Sequence, residues 1–159
     1  MAWQPDNPGR HVVDVGQFDR DGIERLFAAA DRMRELPRLA APLAGLTLAT
    51  LFYEPSTRTR LSFETAMHRL GGNVISTENA REFSSAIKGE TVEDTVRIVS
   101  GYADAIVIRH HEQGSAHRAA AVSPVPILNA GDGPGEHHVA VWGNSALAAR
   151  DQSPVATSG

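Results

Sequence analysis

The segment Leu46–Tyr53, LTLATLFY, constrains this chain most. It is a nearly unbroken apolar run of strand length. Such a run suits a strand covered on both faces, as in a parallel sheet, better than one with a wet side, which would alternate. Glu54-Pro55-Ser56 breaks it, and a helix follows whose inward stripe is Phe63, Ala66, Met67 and Leu70, closed by Gly71-Gly72. Asn73–Thr77 reads as a second strand, and Thr91–Tyr102 as a helix with Val92, Thr95, Val96 and Val99 inward. Ala105–Arg109 reads as a third strand, Ser115–Val122 as a short helix, and Val125–Asn129 as a fourth strand whose Pro126 suits an edge or a strand start. Ahead of all these, Asp19 can cap a helix that turns Ile23, Leu26, Phe27, Ala30 and Met33 to a core and ends at Pro37. Strands alternating with helices predict βαβ units: a three-layer α/β domain, a parallel sheet with helices on both faces. No internal repeat is present.

Composition narrows the function classes. With 159 residues, one domain is the default. A net charge of -4 argues against nucleic acid, whose binders carry a basic face. No stretch approaches the roughly 18 apolar residues of a membrane span, and Met1–Arg10 lacks a signal core, so a cytoplasmic protein is expected. The absence of cysteine excludes disulfides, thiolate metal sites and thiol catalysis. His110-His111 and His137-His138 are adjacent pairs whose rings are expected to point to opposite sides, which makes poor metal clusters; no metal is expected. The 15 basic residues comprise 14 arginines and one lysine, Lys88, set in the polar run Ser84–Glu90.

Ligands in parallel sheets bind beyond the carboxyl ends of strands. Polar clusters fall at three such ends: Ser56–Arg60, Arg109–His111 and Asn129–His137. At the first, the free amides and positive dipole of a helix start favour an anion. Ser56, Thr57 and Thr59 add hydroxyls, and Arg58 adds a fork that matches phosphate in two bonds. The Gly-rich Lys-Ser/Thr pattern of nucleotide P-loops is missing. With Arg109 and His137 converging on the same mouth, the site suits transfer of a group from an activated phosphate: arginines and amides take up charge on the leaving phosphate, while a hydroxyl, Arg and His polarise a carbonyl.

Four segments then carry a resemblance: FYEPSTRTRLSFETAMHRLGG ending at Gly72, SSAIKGETVEDT from Ser84, YADAIVIRH from Tyr102 and NAGDGPGEH from Asn129. Together they closely resemble the N-terminal, carbamoyl-phosphate-binding domain of the aspartate carbamoyltransferase family, over about residues 10 to 137. The sister ornithine carbamoyltransferases share Ser-Thr-Arg-Thr-Arg but usually place lysine where Glu54 stands and lack the loop from Ser84 to Glu90, so the aspartate type is preferred.

The resemblance implies a pyrimidine-pathway enzyme that needs neither cofactor nor metal. Ser56, Thr57, Arg58 and Thr59 would bind the phosphate of carbamoyl phosphate, Arg109 would bridge phosphate and carbamoyl oxygen, and His137 would hydrogen-bond that oxygen as the amine of L-aspartate attacks. Ser84 and Lys88 would reach into a neighbouring subunit's site, implying a homotrimer with shared sites. Arg58, Thr59, Arg109, His137 and Lys88 are the implied catalytic residues. Arg60 and Glu54 look structural, Glu54 as a residue that helps hold two domains closed.

The family pattern departs after His137. His138-Val139-Ala140 stands where the family has Pro-Thr-Gln, and the aspartate-binding domain is expected to be missing. Residues 138–159 therefore read as an atypical, poorly ordered tail on a domain of residues 1–137, as after truncation or a frameshift, with little turnover expected from the chain alone. Two alternatives stay open: a non-catalytic assembly module, and a fragment of an ornithine carbamoyltransferase.

Overall fold

The computed structural model describes residues 11–37, 40–78 and 90–133. Ser84, Lys88, His137 and the 138–159 tail lie outside the described residues.

Four parallel strands, β1 (Thr47–Phe52), β2 (Asn73–Glu78), β3 (Ala105–His110) and β4 (Ile127–Asp132), form one sheet in the order β2-β1-β3-β4. The apolar run that opened the sequence argument supplies the inner strand β1, in which every residue from Leu48 to Phe52 is buried. Alternation along β1 divides the core in two. Leu48 and Phe52 meet Met67 and Phe63 of α2 (Thr57–Arg69) on one face. Ala49 and Leu51 meet Val92 and Val96 of α3 (Val92–Val99) and Ala116 and Ala119 of α4 (Ser115–Val122) on the other. The α/β sandwich with helices on both faces is as the alternating pattern predicts.

Local chemistry sets the helix ends. Thr91 caps α3 by accepting the Asp94 amide, and Gly71, with φ of 84°, ends α2 in the left-handed conformation that glycine adopts without strain. Ahead of the sheet, Val12 bridges Leu128 in parallel and covers the outer edge of β4, while His11 Nδ1 accepts the Ile127 amide at 3.1 Å.

Three sequence expectations need correction. The first concerns α1 (Arg20–Glu35), which Asp19 does cap by accepting the Gly22 amide at 2.7 Å. Its apolar stripe joins neither core cluster: Phe27 and Met33 are 50% and 43% exposed, and Ile23, Leu26 and Ala30 are only half-buried. Periodicity marks the side a helix would bury, but burial needs a facing surface. The second concerns β4, expected over Val125–Asn129 but running from Ile127 to Asp132, so that the first four residues of the polar cluster Asn129–His137 belong to the sheet. The third concerns the pair His110-His111, whose rings do not diverge but stack with centroids 4.3 Å apart, because the strand ends between them and the backbone bends.

Candidate active site

The strand order fixes where the chain reverses direction. From β1 the chain steps outward to β2, then crosses back to β3 on the other side of β1. The carboxyl ends of β1 and β3 are therefore the switch point, where open α/β sheets form their ligand crevice. Ser56–Thr59 follow the end of β1, and Arg109 stands on β3 opposite Phe52. The amide of Tyr53 donates to the Arg109 carbonyl at 2.8 Å and holds the two strand ends together as they leave the ladder.

At the start of α2, Ser56 occupies the cap position, yet its side chain makes no capping hydrogen bond. First-turn amides of a helix have no internal acceptor, so these retain their capacity for an anion. Thr57 and Arg58 expose their side chains, whereas Thr59 is buried. Arg58 makes no ion pair among the described residues.

Arg109 is the most constrained cation of the site. Its side chain is 16% exposed, Nη1 donates to the Ala130 carbonyl at 3.2 Å, and Nη2 lies 3.9 Å from Glu54 Oε2. Its Nε–H is buried and has no acceptor among the described residues. A buried donor without an acceptor is costly, and a ligand oxygen would satisfy it. Of the residues expected to converge, the structure thus brings Ser56, Thr57, Arg58 and Thr59 to one strand end and Arg109 to its neighbour.

Several residues to which the sequence reading gave no individual role lie near these strand ends or on the α2 face of the sheet. Near Tyr53, the Thr95 hydroxyl donates to Glu90 at 3.0 Å, which ties the first turn of α3 to the residue that precedes its cap. Burial raises the Tyr53 phenol above its ordinary value, the polar Thr95 hydroxyl opposes this, and the charge of Glu90 adds to it. The Tyr53 ring lies 4.6 Å from that of His110, whose Nδ1 accepts the Glu112 amide at 3.0 Å. Burial, and then the charge of His111, lower the His110 imidazole. On the α2 face, Thr50 and Ser76 both donate to Glu64, which sits 3.5 Å from Arg60. Asn129 and Asp132 are buried polar residues in what reads as a glycine loop. A carboxylate three residues after a carboxamide in such a run was the only signal for them.

The carbamoyl-P binding domain family of aspartate/ornithine carbamoyltransferases matches residues 10–141. The chain belongs to this family. Relatives of this carbamoyl-P binding domain include the chloroplastic aspartate carbamoyltransferase of Oryza sativa, 58% identical over 134 residues, which cover 79% of this chain and 37% of the rice protein. The catalytic subunit from Methanothrix thermoacetophila is 53% identical, over 80% of this chain and 42% of that protein. Among solved structures, the catalytic subunit of M. Jannaschii aspartate transcarbamoylase superposes with a TM-score of 0.73 at 48% identity, covering 80% of this chain and 42% of that one. The Trypanosoma cruzi enzyme in complex with carbamoyl phosphate and aspartate gives 0.73 at 40% identity, covering 81% and 40%. The chain thus spans well under half the length of the relatives it matches, and these relatives are aspartate carbamoyltransferases. No described helix is long and apolar enough to cross a membrane.

Proposed function

We propose that this domain binds carbamoyl phosphate as the donor half of an aspartate carbamoyltransferase. The phosphate sits against the first-turn amides of α2 with Ser56, Thr57, Arg58 and Thr59, and Arg109 spans the phosphate and the carbamoyl oxygen. The observation that carries this reading is the buried, unsatisfied Nε–H of Arg109 beside an uncapped helix start at the switch point. Both are donor-rich, and among the described residues Glu54 is the only carboxylate paired with Arg109.

In the reaction the amine of L-aspartate forms a bond to the carbamoyl carbon, the bond from that carbon to the bridging oxygen breaks, phosphate leaves with the electron pair, and the proton lost by the amine passes to the departing phosphate. Arginine and amide donors aimed at the leaving phosphate lower the barrier electrostatically. His137 would polarise the carbamoyl oxygen. Ser84 and Lys88 would enter the site of a neighbouring subunit in a homotrimer. The product feeds pyrimidine biosynthesis, and the location is cytoplasmic, although the plant relatives are named chloroplastic.

Calorimetric titration with carbamoyl phosphate tests the reading. The native chain is expected to bind, and Arg58→Ala to weaken binding by roughly tenfold or more, as loss of a charge-assisted bond does. Equal binding by both would move the anion elsewhere.

A further inference from the structure

Two residues of β4 face one of β3 beside the proposed site. Ile108 is level with Asn129 and His110 with Asp132, so Ala130 and Gly131 both stand opposite Arg109. A bulge of this kind bends its strand and re-aims the groups next to it. Here the Ala130 carbonyl meets Arg109 Nη1.

Two buried side chains hold the bulge. Asn129, 1% exposed, accepts the Gly131 amide on Oδ1 at 2.9 Å and donates through Nδ2 to the Val13 carbonyl at 3.0 Å and to Asp132 Oδ1 at 3.1 Å. Asp132, 3% exposed, accepts the Gly114 amide on Oδ2 at 2.9 Å. The Gly133 amide then donates to the His110 carbonyl at 2.9 Å. Each carboxylate oxygen is thus engaged, and the loops that leave β3 and β4 are joined through one side chain. Burying a carboxylate is costly unless it is hydrogen-bonded.

We infer that Asn129 and Asp132 are positioning residues for Arg109: they hold the bulge that presents the Ala130 carbonyl and so fix the guanidinium in the pose that meets the donor substrate. The inference rests on the carbamoyl-phosphate reading and adds to it two residues that touch no substrate. Asp132→Asn tests it, since the carboxamide would turn a donor toward either Gly114 or Asn129, both of which are donors themselves.

Carbamoyl-phosphate affinity is measured by calorimetry for the native chain, Asp132→Asn, Arg109→Ala and the double variant. Asp132→Asn is expected to weaken binding roughly tenfold, and in the Arg109→Ala background to cost nothing further. Additive losses, or native affinity in Asp132→Asn, would overturn the inference, because a general loosening of the site does not depend on Arg109. Should Asp132→Asn fail to fold, Asn129→Ser, which leaves the tie from Asp132 to Gly114 in place, enters the same cycle with the same expectations. Absence of binding by the native chain would overturn the proposed function instead. The positioning role is then decided by nitrogen NMR of the Arg109 Nε–H, identified by its disappearance in Arg109→Ala. Slow exchange in the native chain, lost in Asp132→Asn while the β1 amides stay protected, supports it, and unchanged protection refutes it.

Discussion

Arg109 Nη2 lies 3.9 Å from Glu54 Oε2, so the cation at the end of β3 faces a carboxylate from the loop after β1 across the crevice. In the absence of substrate this carboxylate is the negative charge nearest to Arg109 among the described residues. An incoming phosphate must compete with it. Glu54→Gln is therefore expected to tighten inorganic phosphate or carbamoyl phosphate by about two- to fivefold at low salt, the range of a partly exposed pair. The gain should shrink as ionic strength rises. Weaker binding in the variant, by calorimetry, would mean that Glu54 supports the ligand rather than opposing it.

The two left-handed glycines around β1 and α2 predict unequal sensitivities. Gly45 (φ 83°) has open space where a Cβ would be, whereas a Cβ on Gly71 (φ 84°) would collide with Ala41. Gly45→Ala should cost about 1 kcal/mol, the left-handed penalty alone. Gly71→Ala should cost roughly 2 kcal/mol or more, because the turn from α2 to β2 must also shift. Urea unfolding of the two variants compares them directly.

Acid should weaken the fold through two imidazoles. His110 and His11 are both lowered from the ordinary 6.5 by burial, and each accepts a backbone amide on Nδ1, which a protonated ring cannot do. The unfolded chain takes up these protons first as pH falls, so the contribution is complete above about 6.5 and declines below it until the folded imidazoles protonate as well. His110→Asn keeps an acceptor for the Glu112 amide but cannot titrate. Thermal melts of this variant between pH 5 and 7.5 should show a shallower pH dependence than the native chain, and an identical slope would remove His110 from the account.

Phe52 is fully buried at the end of β1, and Leu61 on the outer side of α2 is 49% exposed. Phe52→Ala is expected to cost about 3–5 kcal/mol by leaving a cavity between β1 and α2. Leu61→Ala should stay within about 0.5 kcal/mol. Urea midpoints of the pair test whether the α2 face is as closely packed as its burial implies.

Much of this architecture was legible in the sequence because strands buried on both faces leave continuous apolar runs. LTLATLFY and AIVIR needed no partner to be recognised, and Ser115–Val122 emerged with the boundaries the pattern suggested. The start of α2 was legible for a related reason: Glu54-Pro55-Ser56 breaks the apolar run, and the hydroxyls and arginines that follow open a helix directly after a buried strand. What escaped depends on tertiary context. The stripe of α1 promised a core contact that the described residues do not provide. The segment Asn129–Asp132 has the composition of a turn, and only pairing with β3 turns it into a bulged strand. The approach of Glu54 to Arg109 likewise depends on how the ends of β1 and β3 lie side by side, which spacing alone cannot show.

The arrangement of strands has a consequence for how the crevice arises. β1 and β2 are separated by one helix and can pair as soon as both exist, but the β1–β3 seam brings together groups as far apart as Thr47 and Asp104, 57 positions along the chain. Contacts of such separation carry a larger entropic toll and form late. During synthesis the helix-start half of the proposed cradle is therefore in place before its Arg109 half, and a nascent chain ending short of β3 would present the Ser56–Thr59 donors alone while one face of β1 still awaits α3 and α4.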